Sequence, residues 1–332
     1  MANGSTVPCR CLESDLPPVI HQIAAGDLGG LQARHKSRPA PLIAAVFLLA
    51  FTPRLPHHVP VTTCVFCGTT ASRLTDEHVI PKWARDAFNI QGKITITASD
   101  GPGSTPHQVR RIPHLNIVLR DQLCHRCNNE WLARLEHAVQ PILTPMALLT
   151  QPQVTLDPAA QELLALWAVK TSLLLELAVR QNPRDVRTVQ GYQATAQELA
   201  WMWAHNEPPP RSMVWLGAWD CQREVPVNYE PSSAELPTAD GIPVTGHLTI
   251  FTLGFVVFQV FTVDFVAAEL HGAVVWNTHV PDSLAHALTR IWPQQLTPSE
   301  ITWPPQVFPR NEWRRLITWD GKLRPDEPAP QP

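Results

Sequence analysis

Two pairs of closely spaced cysteines constrain this chain more than any other feature: Cys64-Val65-Phe66-Cys67 and Cys124-His125-Arg126-Cys127. Four thiolates in two such pairs match the ligand set of a tetrahedral Zn²⁺ site, and each short pair suits a knuckle whose backbone turns toward the sulfurs. Gly68 directly after the first pair favours such a turn. The 56 residues from 68 to 123 separate the pairs, longer than a zinc-finger spacing, so the loop must contain structure of its own. His125 stands inside the second pair, but four thiols already complete the shell. The remaining cysteines, Cys9, Cys11 and Cys221, do not share the spacing, and seven is an odd total. Both facts argue against a secreted disulfide framework and for a reducing, cytoplasmic setting.

Within the loop lies Thr75-Asp76-Glu77-His78-Val79-Ile80-Pro81. The β-branched pair favours extended backbone, and Pro81 ends strand pairing. Neighbours on a strand point to opposite faces, so Glu77 and His78 share a direction only if the strand bends there. Residues 81–88 read as a short helix with Pro81 at its first position. After the second pair, Asn128-Asn129-Glu130-Trp131 reads as a helix start with Asn as N-cap. Trp131, Leu135 and Ala138 follow at helical spacing and are expected to face the core. The order is strand, strand, helix, with the thiolates at its base.

The combination CxxC, Glu77-His78-Val79-Ile80-Pro81 and Cys124-His125-Arg126-Cys127-Asn128-Asn129 resembles the HNH endonuclease superfamily. The likeness is strongest to bacterial proteins with an acid-His-Val-x-Pro-x-Trp segment, here Glu77 to Trp83, and a CxxCNNxW segment, here Cys124 to Glu136. It covers roughly residues 61–140 and continues weakly through Leu166 to Thr171. The resemblance implies a ββα-metal fold that holds one divalent cation between a hairpin and a helix. It implies His78 as the general base, Glu77 as a metal ligand in place of the usual Asp or His, and Asn128 or Asn129 as the helix ligand. Asn116 is the upstream candidate for the middle Asn of the motif, with Lys82 in support. The implied metals are a structural Zn²⁺ and a catalytic Mg²⁺ or other divalent ion; the implied partner is DNA, with RNA as an alternative.

The chemistry is coherent in itself. An imidazole can take a proton from water at neutral pH, and a hard cation can polarise a phosphate. Lys82, Arg85, Arg110, Arg111, Arg120 and Arg126 are candidates for phosphate contacts. The formal net charge of the whole chain is −3, and residues 61–140 carry nine Lys and Arg against seven Asp and Glu. Charge alone therefore supports only modest nucleic-acid affinity. More ordinary roles compete for several residues: Asp76 in a turn, Lys82 and Arg85 on a solvated helix face, Trp83 and Trp131 in the core. A non-catalytic zinc module that binds nucleic acid or protein is the alternative function.

Beyond this module the expected fold class is α+β: a zinc-stabilised ββα-metal module, then a helical segment, then a mainly β C-terminal region. Residues 1–60 read as a disordered Pro-rich extension, with a mis-assigned start near Val59 or Val61 as a further expectation. Their one apolar run, residues 42–51, is too short to span a bilayer. In the helical region, 141–212, Asp157-Pro158 is a strong helix start. The Leu-rich run to Arg180 carries so few charges that it must be buried, either centrally or in a homo-oligomer interface; those charges argue against a membrane span. Ala196 to His205 reads as another helix. From 213 to 324 strands are expected at 214–219, 247–253, 256–266 and 273–276, with a short helix at 283–291 and a frayed tail at 325–332. This half contains no P-loop, GxGxxG, HExxH or nucleophile-elbow motif.

Overall fold

The computed structural model describes residues 62–71, 73–89, 93–98, 107–113, 116–151, 153–181, 194–220, 227, 229–236, 238–273, 288–294, 299–304 and 307–308. The expected extension and tail, Cys9, Cys11, Cys221 and residues 274–287 lie outside the described residues, as do the side chains of Arg110 and Arg111. Helix and strand are mixed along the chain, as an α+β class requires.

A short hairpin comes first: β1 (Thr62–Thr63) and β2 (Thr70–Ala71) pair antiparallel around the first cysteine pair. β3 (Thr75–His78) leads into α1 (Lys82–Ala87), for which Pro81 is the N-cap rather than the first helical residue. An antiparallel hairpin of β4 (Lys93–Ala98) and β5 (His107–Pro113) occupies the long loop. β6 (Val118–Leu123) then returns to pair with β3, with Thr75 opposite Leu123, Glu77 opposite Leu119 and His78 opposite Val118. A bulge between Thr75 and Glu77 interrupts this register. A π-helical segment, Arg126–Leu132, runs directly into α2 (Ala133–Ala147).

The second half builds on α3. β7 (Val154–Leu156) precedes α3 (Pro158–Arg180), and α4 (Ala196–His205) follows it. The strands are β8 (Met213–Trp219), β9 (Tyr229–Leu236), β10 (Val244–Leu253) and β11 (Val256–Val263). After α5 (Phe265–Leu270) come β12 (Leu288–Trp292), β13 (Ile301–Trp303) and β14 (Val307–Phe308). The main sheet has the order β12-β8-β11-β10-β9, with β14 added parallel to β8; β13 pairs with β7. The expected helix at 283–291 is thus a strand from Leu288 onward. Cross-strand pairing with β8 decides the conformation there.

Period-two alternation gives the sheet two apolar faces. Val214, Leu216, Phe258 and Val260 face the helices, whereas Met213, Trp215, Val257 and Phe261 form a second cluster on the reverse face. α3 lies against the first face. It is buried along nearly its whole length, and that burial is accomplished within one chain. The larger cluster is continuous from Cys64 in the first knuckle, through α2 and α3, to Trp303. No helix among the described residues is long and apolar enough to cross a membrane.

Candidate metal centre

The four paired cysteines meet. Their Sγ atoms all lie within 4.8 Å of one another, and Cys67 Sγ stands 3.6 Å from Cys124 Sγ. Four sulfurs about 2.3 Å from one tetrahedral ion are about 3.8 Å apart, so the donor set fits a metal such as Zn²⁺. Local backbone explains the convergence. Cys64 N–H donates to Thr69 O and Gly68 N–H to Cys64 O, and Gly68 takes a φ of +67°, where a residue without Cβ is unstrained. Val65 N–H donates to Gln122 O, which ties the first knuckle to β6 just before the second pair. Cys127 lies in the first turn of the π-helical segment, so its position follows the helix.

The thiols are electrostatically crowded. Hydrogen bonding from Cys127 draws Cys64 down to about 4 against the cost of its burial. The same hydrogen bond, with burial, pushes Cys127 well above the usual thiol range, and burial also raises Cys124. The opposite directions of Cys64 and Cys127 follow from one hydrogen bond between two sulfurs held close together. A divalent cation would relieve this crowding by stabilising all four thiolates. Cys64 and Cys127 are buried and Cys67 and Cys124 half-buried, so the centre lies at the module's edge.

The residues expected to hold a second cation are placed differently. His78 is exposed on the outer face of β3. Glu77 is 6% exposed and points the other way, into the interior. There Lys170, fully buried in the middle of α3, lies 4.0 Å from Glu77 Oε1 and donates to Glu136 Oε1 at 3.0 Å. Burial pushes the Glu77 carboxyl up to about 7; Lys170 opposes this and Glu136 adds to it. The lysine is bound mainly to Glu136, so it offsets the desolvation of Glu77 only in part.

Asn128 is not an N-cap: the helix begins earlier, with His125 in that position, because the second cysteine pair is itself wound into the first turn. Its Nδ2 donates to Thr75 Oγ1 at 2.9 Å and to Asp76 O at 2.8 Å, so the side chain pins the helix start to β3. Thr75 Oγ1 in turn donates to Leu123 O. Asn129 and Lys82 are exposed. Asn116 Oδ1 accepts from Arg85, which fixes the end of α1 to the start of β6. Asp76 lies on the His78 face, where Oδ1 accepts from Asp121 N–H and Oδ2 stands 3.7 Å from Arg120. The structure therefore brings Asn128 to β3 at Thr75 and Asp76, on the strand that carries His78. It sends Glu77 to the opposite face, and the set Glu77, His78 and Asn128 as placed does not fit a shared divalent cation. Among the described residues, the four cysteines are the one cluster of His, Cys, Asp or Glu able to hold a metal.

Sequence reasoning assigned no role to Glu136 or Lys170. A signal was present: a lysine amid the apolar run of α3 must find a buried acidic partner. Trp131 is buried as expected, stacking edge-on with Phe66 and Trp203 and donating its Nε1–H to Asn206. Ala138 is exposed, contrary to its expected inward position, because the buried stripe of α2 runs through Leu135, Val139 and Leu143 and leaves Ala138 at its edge. No family model, curated protein or solved structure matches this chain.

Proposed function

We propose that this chain is an HNH-type endonuclease that hydrolyses phosphodiester bonds in DNA, with His78 as the general base. The observation that carries the reading is the junction of β3, β6 and the following helix. A thiol cluster fit for zinc sits at its base, and His78 is exposed on the strand that Asn128 ties to the helix. An imidazole there is open to water and to a bulky polymer, as a general base must be. Arg120, beside Asp76 on the His78 face, and the exposed Arg126 and Lys82 are candidates to meet backbone phosphates.

The inward burial of Glu77 favours a second reading, a non-catalytic zinc module that binds nucleic acid or protein. One experiment separates them. Purified protein is incubated with plasmid in Mg²⁺ or Mn²⁺ beside a His78→Ala variant. The nuclease reading expects nicking that falls at least 100-fold in the variant, the scale of a lost general base. Equal cleavage by both proteins removes His78 from the mechanism. No cleavage of DNA or RNA under any metal leaves the binding module as the function.

A further inference from the structure

We propose that Glu77 is a positioning residue and not a metal ligand: with Lys170 and Glu136 it forms a buried charge latch that fixes β3 to α2 and α3 and thereby sets how His78 is presented. The functional part of this inference rests on the reading of His78 as the reacting base; the latch itself does not.

Three observations meet here. Lys170 is fully buried at the centre of α3, an otherwise apolar helix. An ammonium in such a place is tolerated only with charged partners, and both partners come from the zinc module: Glu136 at 3.0 Å from α2 and Glu77 at 4.0 Å from β3. The Lys170 Nζ also lies 5.8 Å from the ring centre of Trp167, so the apolar wall around it is specific.

Strand alternation supplies the link to His78. Glu77 and His78 are adjacent, so the inward hold on one fixes the outward direction of the other. The bulge between Thr75 and Glu77 means the ladder alone does not fix this register; a one-residue slip would exchange the two side chains between core and solvent. Asn128 holds the strand from the helix side through Thr75 and Asp76, and Lys170 holds it from beneath through Glu77. A cation ligand at Glu77 would have to displace an ammonium that is already in place.

The test is a charge cycle on the zinc-loaded protein, read by melting temperature and by the His78 ring resonance in ¹H–¹³C NMR. Lys170→Met leaves the buried Glu77 and the half-buried Glu136 facing each other without their cation, so the Tm should fall by several degrees and the His78 resonance should shift. Adding Glu77→Gln and Glu136→Gln to that variant removes the unpaired charges, so most of the lost Tm and the native His78 shift should return. Should Lys170→Met fail to fold, recovery of folding in the triple variant is the same result. Additive losses without recovery, or a His78 resonance unmoved by Lys170→Met, overturn the latch. A second arm titrates Mn²⁺ and follows paramagnetic broadening of His78 in the native protein and in Glu77→Gln. Equal midpoints within twofold support a positioning role, and a tenfold weaker midpoint in Glu77→Gln overturns it. Absence of broadening in both counts against the metal-dependent nuclease reading; the latch then stands or falls on the charge cycle alone.

Discussion

His247 shows how much one side chain can reveal about the interior of this molecule. It lies on β10 at 2% exposure, with Thr249 Oγ1 3.0 Å from its Nε2. Burial, reinforced by the Arg180 guanidinium, holds its imidazole down to about 3. The folded state thus resists a proton that the unfolded chain accepts below about pH 6.5. From about pH 6.5 to 3 the unfolded chain binds more protons, so the contribution is complete above 6.5 and is lost as pH falls, by up to about 1.4 kcal/mol per pH unit. Urea unfolding at pH 7.5 and 5.5 measures this. His247→Gln is expected to show a shallower loss than the native protein between the two values, and an unchanged difference would mean that His247 is not buried neutral. The comparison with the variant matters because the cysteine cluster also binds protons as pH falls. Nothing in the local sequence Gly246-His247-Leu248-Thr249 distinguishes this histidine from a surface one. Its environment is made by strands β9 and β11, which pair with β10 on either side.

At the level of elements, α3 was the most legible and β12 the least, and the contrast is physical. α3 announces itself through local chemistry: Asp157 accepts from Ala160 N–H at 2.7 Å and Pro158 occupies the first position, where its missing N–H costs nothing. Asp157→Ala should therefore destabilise the protein by about 1 kcal/mol, while Asp157→Ser should recover most of that. Equal unfolding midpoints for all three proteins in guanidinium would show that the cap is idle. α4 was equally readable, since Thr195 and Glu198 complete a reciprocal capping box. β12 has no such signal. Leu288 and Ile291 are buried at a spacing of three that suits a helix, and only pairing with β8 makes them a strand. The second cysteine pair lies between these cases. Its spacing foretold convergence with the first pair, because four thiols need one point to meet. The π-turns that take Cys127 into the helix, and so move Asn128 past the cap, have no sequence mark. Likewise the alternation of β3 separated Glu77 from His78, but which of them faced inward depended on Lys170, 93 positions beyond Glu77.

At the scale of the whole molecule, the thiol cluster and the main sheet are ends of one packed body. The larger apolar cluster passes without a break from Cys64 to Trp303. The tip of the β10–β11 hairpin is seated on the end of α2: Phe255 N–H donates to Ala147 O. The approach is so close that a Cβ at Gly254, whose φ is +57°, would collide with that same carbonyl and with the ring of Phe88. If the four thiolates hold a metal, such contacts extend the effect of its loss beyond the knuckles, because metal binding is coupled to folding. Zinc should copurify at one ion per chain, and Cys127→Ser should lose both the ion and thermal stability. On adding a strong chelator, the Tm should drop in one cooperative transition. Far-UV circular dichroism, dominated by α2 and α3, should report the same midpoint as tryptophan fluorescence, to which Trp215 and Trp219 on β8 contribute. Two separated midpoints would mean that the sheet survives alone and that the contact at Gly254 does not couple the halves. A wild type that is stable without zinc would remove the metal from the fold altogether.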